Sequence, residues 1–172
     1  MKMIAAVDEK WGIGKNGGLL CHLPGDMRFF RETTSGCTIV MGRVTFESFP
    51  GRKGLPKRRN IVITSIRDYK AEGAEVVHSY EEMKRLLSGT DDDSVFVIGG
   101  ARVYNDLLPM CQTAYITKIY RDLGADRFIP DLDASGEFEA EPISGMKEEN
   151  GVRYRFFKYT RVKAAEKSAD ME

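Results

Sequence analysis

Two segments of the chain share one pattern, and it limits the fold more than any other feature. "TIVMGRVTFESF" (Thr38–Phe49) and "VFVIGGARVYNDLL" (Val95–Leu108) each run from an apolar stretch through glycine into a helical pattern. A short, continuous apolar run ended by glycine predicts a strand buried on both faces. A helix that follows at once predicts a crossover to a parallel neighbour. The rest of the sequence extends this alternation. Strands are predicted at Met3–Val7, Cys37–Met41, Asn60–Ser65, Ala74–His78, Ser94–Gly100, Ala114–Ile119 and Val152–Val162. Helices are predicted from about Gly25 to Thr34, within Gly42–Phe49, from a Ser79/Glu82 capping box to Gly89, and over Ala101–Pro109. No helical pattern separates the last two strands, so an antiparallel edge is expected. The chain is an α/β protein with a largely parallel sheet covered on both faces.

Composition narrows the function. The 172 residues fit one domain, expected over 1–162 with a polar, frayed tail at 163–172. Lys plus Arg equals Asp plus Glu at 26 each, so the basic excess of a nucleic-acid binder is missing. No apolar run reaches the ~20 residues of a membrane span, and the first residues turn acidic too early for a signal peptide. Cys21, Cys37 and Cys111 have no metal-ligand spacing and imply reduced thiols in the cytoplasm. His22 and His78 stand apart, which argues against a catalytic metal.

The two strand–glycine–helix turns are the candidate anion sites. Backbone N–H groups at a helix start face outward there, and glycine lets a phosphate approach. One such turn would be weak; two in one domain point to a diphosphate held between them. Arg43 and Arg102 stand near the two helix starts and can add charge-assisted bonds. Thr64, Ser65 and Arg67 follow the third strand. Hydroxyls with arginine suit a ribose 2′-phosphate, whereas an acid would suit free ribose hydroxyls, so NADP is favoured over NAD.

"WGIGKNGGLLCHLPGD" (Trp11–Asp26) offers a different possibility. Gly12, Gly14 and Gly17 spell the dinucleotide fingerprint G-x-G-x-x-G. That fingerprint works only when strand, turn and helix follow without a gap. Here the preceding strand ends near Val7 and Pro24 bars a helix through the segment. The fingerprint is rejected, and a mobile lid over a ligand is expected instead. At its end, Asp26 opens a helix whose Met27 and Phe30 share its face. A carboxylate beside an apolar slot can grip an amidine-like edge through paired hydrogen bonds and help to protonate a ring nitrogen. One arginine of "GRKGLPKRRN" (Gly51–Asn60) is a candidate for holding a substrate carboxylate.

These pieces converge. "IAAVDEKWGIGKNGGL", "HLPGDMRFF", "TIVMGRVTFESF", "LPKRRNIVIT", "VFVIGGARVYNDLLP", "AYITKI" and "FIPD", in this order and spacing, resemble dihydrofolate reductase from end to end. The resemblance implies a mainly parallel eight-stranded sheet with an antiparallel C-terminal edge and about four flanking helices. It implies a monomer that takes NADPH as cofactor, dihydrofolate as substrate, and antifolates. It makes Asp26 the acid that grips the pterin and Thr117 its hydrogen-bonding support. Ile4, Ala5, Met27, Phe30, Phe49, Ile98 and Tyr104 become substrate contacts, and Arg58 the arginine for the glutamate α-carboxylate. Ala6 and the lid residues Ile13, Gly14, Lys15, Asn16, Gly17, Gly18 and Leu19 become cofactor contacts. So do Gly42, Arg43, Val44 and Thr45 at one turn, Ile63, Thr64 and Ser65 at the third strand, and Gly99, Gly100, Ala101, Arg102, Val103 and Tyr104 at the other turn. Gly99-Gly100 matches a pair joined by a cis peptide in that family.

The chain departs from the pattern at one place. Where the family has leucine-proline-tryptophan, it reads Leu19, Leu20, Cys21. Two alternatives remain: the pyrimidine reductase of riboflavin synthesis on the same fold, which the acid in "HLPGD" disfavours, and a relative that binds folate or NADPH with weak or no turnover, for which this departure is the only support.

Overall fold

A computed structural model describes residues 1–162 of the chain; the polar tail expected from residue 163 lies outside the described residues. The order of elements is β1 (Lys2–Val7), β2 (Gly12–Gly14), α1 (Pro24–Thr34), β3 (Thr38–Gly42), α2 (Arg43–Glu47), β4 (Arg59–Ile63), β5 (Glu75–Val77), α3 (Tyr80–Leu86), β6 (Val95–Gly99), α4 (Ala101–Leu107), β7 (Thr113–Ile119), β8 (Arg127–Phe128), β9 (Phe138–Pro142), β10 (Lys147–Glu149) and β11 (Val152–Arg161).

The main sheet runs β10-β11-β7-β1-β6-β3-β4-β5, with β9 also on β11. Strands β7, β1, β6, β3, β4 and β5 pair in parallel. Strand β11 closes the sheet antiparallel to β7, the edge the sequence predicts. On its other side β10 pairs with Val152–Tyr154 and β9 with Phe157–Arg161. These two share one lane, so nine strands fill eight lanes.

The apolar runs serve both faces of this sheet. In β6, Val95 and Val97 enter one core cluster while Phe96 and Ile98 enter the other. In β3, Val40 faces the first and Ile39 and Met41 the second. A strand packed on both faces has no polar side, which is why these segments read as unbroken apolar runs. A third cluster, with Leu23, Ile119, Tyr154 and Phe156, sits beneath the start of α1.

Proline and glycine set the helix ends. Pro24 takes the first position of α1. Pro109 turns the end of α4 into a short 3-10 segment, Leu108–Met110. Ser79 caps α3 by accepting from the Glu82 N–H. Glu82 in turn accepts from the N–H of His78, one residue beyond the position the capping box requires. No helix among the described residues is long and apolar enough to cross a membrane.

Strands β2, β8, β9 and β10 are additions to the sequence-based prediction. Strand β9 buries only Phe138, and β10 is Lys-Glu-Glu, so neither has the alternation that marks a half-buried strand. The lid is also more ordered than a glycine-rich loop. Asn16 and Gly17 both have positive φ, and Lys15 and Gly18 exchange backbone hydrogen bonds of 3.2 and 3.0 Å across them. This is the two-residue hairpin turn that Asn-Gly favours. Gly17 therefore serves a turn, and the rejection of the phosphate fingerprint holds.

Candidate functional site

The carboxyl ends of β1, β3, β4 and β6 open on one side of the sheet, where ligands of open α/β sheets bind. A cavity of about 1060 Å³ lies there. Its size is that of a site for a large organic ligand or a pair of them. Strand β1 contributes Ala6, β6 contributes Ile98 and Gly99, and α1 contributes Asp26 and Met27. Gly42, Arg43, Val44 and Thr45 line it at the β3–α2 turn. Gly100, Ala101, Arg102, Val103 and Tyr104 line it at the β6–α4 turn. Ile63, Thr64 and Ser65 come from the end of β4, and Ile13, Gly14, Lys15, Gly17, Gly18 and Leu19 from the lid.

Asp26 is the half-buried acid of this cavity; Glu81, which also lines it, is exposed. The Thr117 hydroxyl donates to Asp26 Oδ1 at 2.6 Å, from a strand distant in sequence. Burial raises the Asp26 carboxyl above its ordinary value; the Thr117 hydrogen bond opposes this, and the charge of Glu149 adds to it. A carboxyl so placed keeps its proton to higher pH than a solvated one. Tyr104 is buried at the cavity wall and donates from its hydroxyl to the Ile4 carbonyl at 2.6 Å. Burial and the nearby Asp26 push its phenol well above the usual range, so it remains a neutral wall.

The two glycine turns have free donors. Helices α2 and α4 begin at Gly42 and Gly100, and neither has a side-chain cap. The residues at both helix starts line the cavity, and the first N–H groups of a helix have no intrahelical partner. Gly99 has φ 131, and a Cβ there would come within 3.3 Å of Thr45 Oγ1 and the Tyr104 ring. The Gly99-Gly100 peptide is cis. Arg43 is held by Glu47 at 3.0 Å, and Glu47 also accepts from the Tyr69 hydroxyl at 3.1 Å. Arg102 extends into solvent and comes within 3.8 Å of Asp106. Uncapped helix starts, glycine clearance and flanking arginines fit the diphosphate of a dinucleotide.

Several residues that the resemblance implies for the site lie outside the cavity lining. Ile4 is buried in the second core cluster, with Phe30 and Phe49 packed against it. Ala5 points the opposite way, into the first cluster, because alternate residues of β1 face opposite sides of the sheet. Arg58 stacks over Phe30 at 5.9 Å and bonds to the Pro56 carbonyl and the Thr34 hydroxyl. Asn16 faces solvent, with its N–H on Asp126 Oδ2 at 2.9 Å. The cavity also gains residues that the sequence did not assign to it: Leu20, Cys21, Leu23, Ser48, His78, Ser79, Tyr80, Glu81, Ile119 and Arg127. His78 follows β5 directly and its Nδ1 meets the Thr64 carbonyl at 2.8 Å. Its place beside Thr64 results from the β4–β5 pairing, and no local pattern announces it.

Known proteins share this arrangement. The family model described as dihydrofolate reductase matches residues 1–161. The dihydrofolate reductase of Bacillus subtilis is 41% identical over 160 residues, which is 92% of this chain and 93% of that protein. That of Neisseria gonorrhoeae is 38% identical over 91% of this chain and 95% of its own. A solved structure, dihydrofolate reductase from Enterococcus faecalis complexed with NADP(H) and RAB-propyl, superimposes with a TM-score of 0.79 at 40% identity. It covers 94% of this chain and 96% of its own. Sheet order, cavity and these likenesses agree: the chain belongs to the dihydrofolate reductase family.

Proposed function

We propose that this protein reduces 7,8-dihydrofolate to 5,6,7,8-tetrahydrofolate with NADPH, and that Asp26 is the acid on which the reaction depends. The observation that carries this reading is Asp26, held by the buried Thr117 hydroxyl behind it, in the same cavity as two uncapped helix starts. When bound, NADPH supplies the hydride that goes to pterin C6. Asp26 holds the amidine-like edge of the pterin through paired hydrogen bonds and raises the basicity of the ring, so that solvent can protonate N5. Thr117 fixes the rotamer of Asp26. Ile98, Tyr104, Met27 and Ala6 exclude bulk water around the reacting centre. Backbone N–H groups beyond Gly42 and Gly100, with Arg43 and Arg102, hold the cofactor diphosphate. Thr64 and Ser65 take the 2′-phosphate, and Arg58 beside Phe30 takes the glutamate carboxylate of the substrate.

On this reading the protein works as a cytoplasmic monomer of one domain over 1–162 with a short tail at 163–172. Strong acid placement in the cavity supports the folate substrate over a ribosylated pyrimidine. The test is direct: purified protein should oxidise NADPH when dihydrofolate is added, and methotrexate should stop it. Tight methotrexate binding without turnover would instead leave a folate-binding relative.

A further inference from the structure

Helix α1 carries Asp26 in its first turn, yet it begins without a cap of its own: Leu23 precedes it and offers no side-chain acceptor. The acceptor comes from a hairpin 124 positions further on. Glu149 ends β10, and its Oε1 accepts from the Gly25 N–H at 2.8 Å. The same oxygen accepts from the Tyr154 hydroxyl. Asn150 and Gly151, both at positive φ, close the hairpin, and Glu149 pairs with Val152 across it. Tyr154 is packed into the third core cluster beneath. Gly25 is fitted to this contact. A Cβ there would lie 2.3 Å from Tyr154 Oη and 2.5 Å from Glu149 Oε1.

We propose that Glu149 is a positioning residue for the reductase reaction: it anchors the first turn of α1 and thereby sets the Asp26 carboxyl in the cavity. The inference rests on the reductase reading above. Its charge has a second effect. Asp26 faces Thr117 from β7, Tyr104 from α4, Tyr154 from β11 and Cys21 from the preceding loop, while Glu149 supplies the like charge that resists its ionisation. Hydrogen bonds from Tyr154 and Gly25, with Arg28 and Lys147 near, hold Glu149 itself below the usual carboxyl value. The two environments bias the pair in opposite directions, Glu149 toward its ionised form and Asp26 toward its neutral form.

Two variants separate anchor from charge. Glu149→Gln keeps an acceptor for both donors and removes the charge; Glu149→Ala removes both. Steady-state kinetics across pH, with amide exchange at Gly25, should read them. Glu149→Ala should lower kcat/KM for dihydrofolate about tenfold and leave KM for NADPH within about twofold. Glu149→Gln should stay within about threefold of wild type, with the pH profile displaced to lower pH. Gly25→Ala, whose methyl takes the place of the carboxylate, should reproduce the Glu149→Ala kinetics and covers the case in which that variant misfolds. Wild-type kinetics in Glu149→Ala, or equal losses toward both ligands in every variant, would overturn the proposal. If wild type does not reduce dihydrofolate, the reductase reading fails by itself. The anchor then still requires faster Gly25 exchange in Glu149→Ala and protection in Glu149→Gln, and like exchange in all three proteins sinks it.

Discussion

Asp26 is costly to the fold and valuable to the site. Its carboxyl is raised above 3.8 chiefly by burial, so the folded state favours the protonated form. The stabilisation from that form is complete below 3.8 and is lost as pH rises through the raised value. Above it, the ionised group is a constant burden. Asp26→Asn should therefore raise the melting temperature at pH 8, and the gain should vanish below pH 3.8; a thermal melt series across pH measures it. The same change should cut turnover by a factor of about 10² or more. Cys21 is the other residue of interest. It is half-buried against Leu23, Tyr154 and Phe156 and lines the cavity beside Asp26. Burial first, and Asp26 second, push its thiol upward, so it stays neutral and weakly reactive. Cys21→Trp adds apolar wall at the cavity, and should lower KM for dihydrofolate about two- to fivefold in an enzyme already active without it.

At the scale of elements, the lid is a latched hairpin. Strand β2 pairs with β8, and the Asn16 N–H closes on Asp126 at 2.9 Å. Asp126→Ala removes one exposed bond worth about 1 kcal/mol. It should weaken NADPH binding a few-fold, measured by titration, with little change in melting temperature. The central parallel strands β1, β3, β4 and β6 were legible because both their faces are buried, and Asp26 because a helix starts at Pro24. The edge was less legible. Strands β9 and β10 face water with charged residues, so no apolar period marks them. The Asn16-Gly17 and Asn150-Gly151 turns did carry a local signal, since Asn-Gly supplies the two positive φ values a tight hairpin needs. The contact from Glu149 to Gly25 carried none, because only the folded sheet brings β10 to the start of α1.

The molecule gathers parts from both faces of the sheet around one cavity: the acid of α1 and the start of α2 come from the face of the second core cluster, and the start of α4 from the face of the first. Six parallel strands hold those parts in register, and the antiparallel edge at β11 holds Thr117 of β7 against Asp26. A cofactor that bridges so many elements should stabilise all of them together. At about a hundred times its Kd, NADPH should add about 2.7 kcal/mol, a rise in melting temperature of about 5–10 °C. The most direct test of the account compares wild type with Asp26→Asn in dihydrofolate-dependent NADPH oxidation. The account predicts methotrexate-sensitive turnover in the wild type and a loss of about a hundredfold or more in the variant, with NADPH binding retained. A variant as active as wild type, or a wild type that never oxidises NADPH with dihydrofolate, would contradict it.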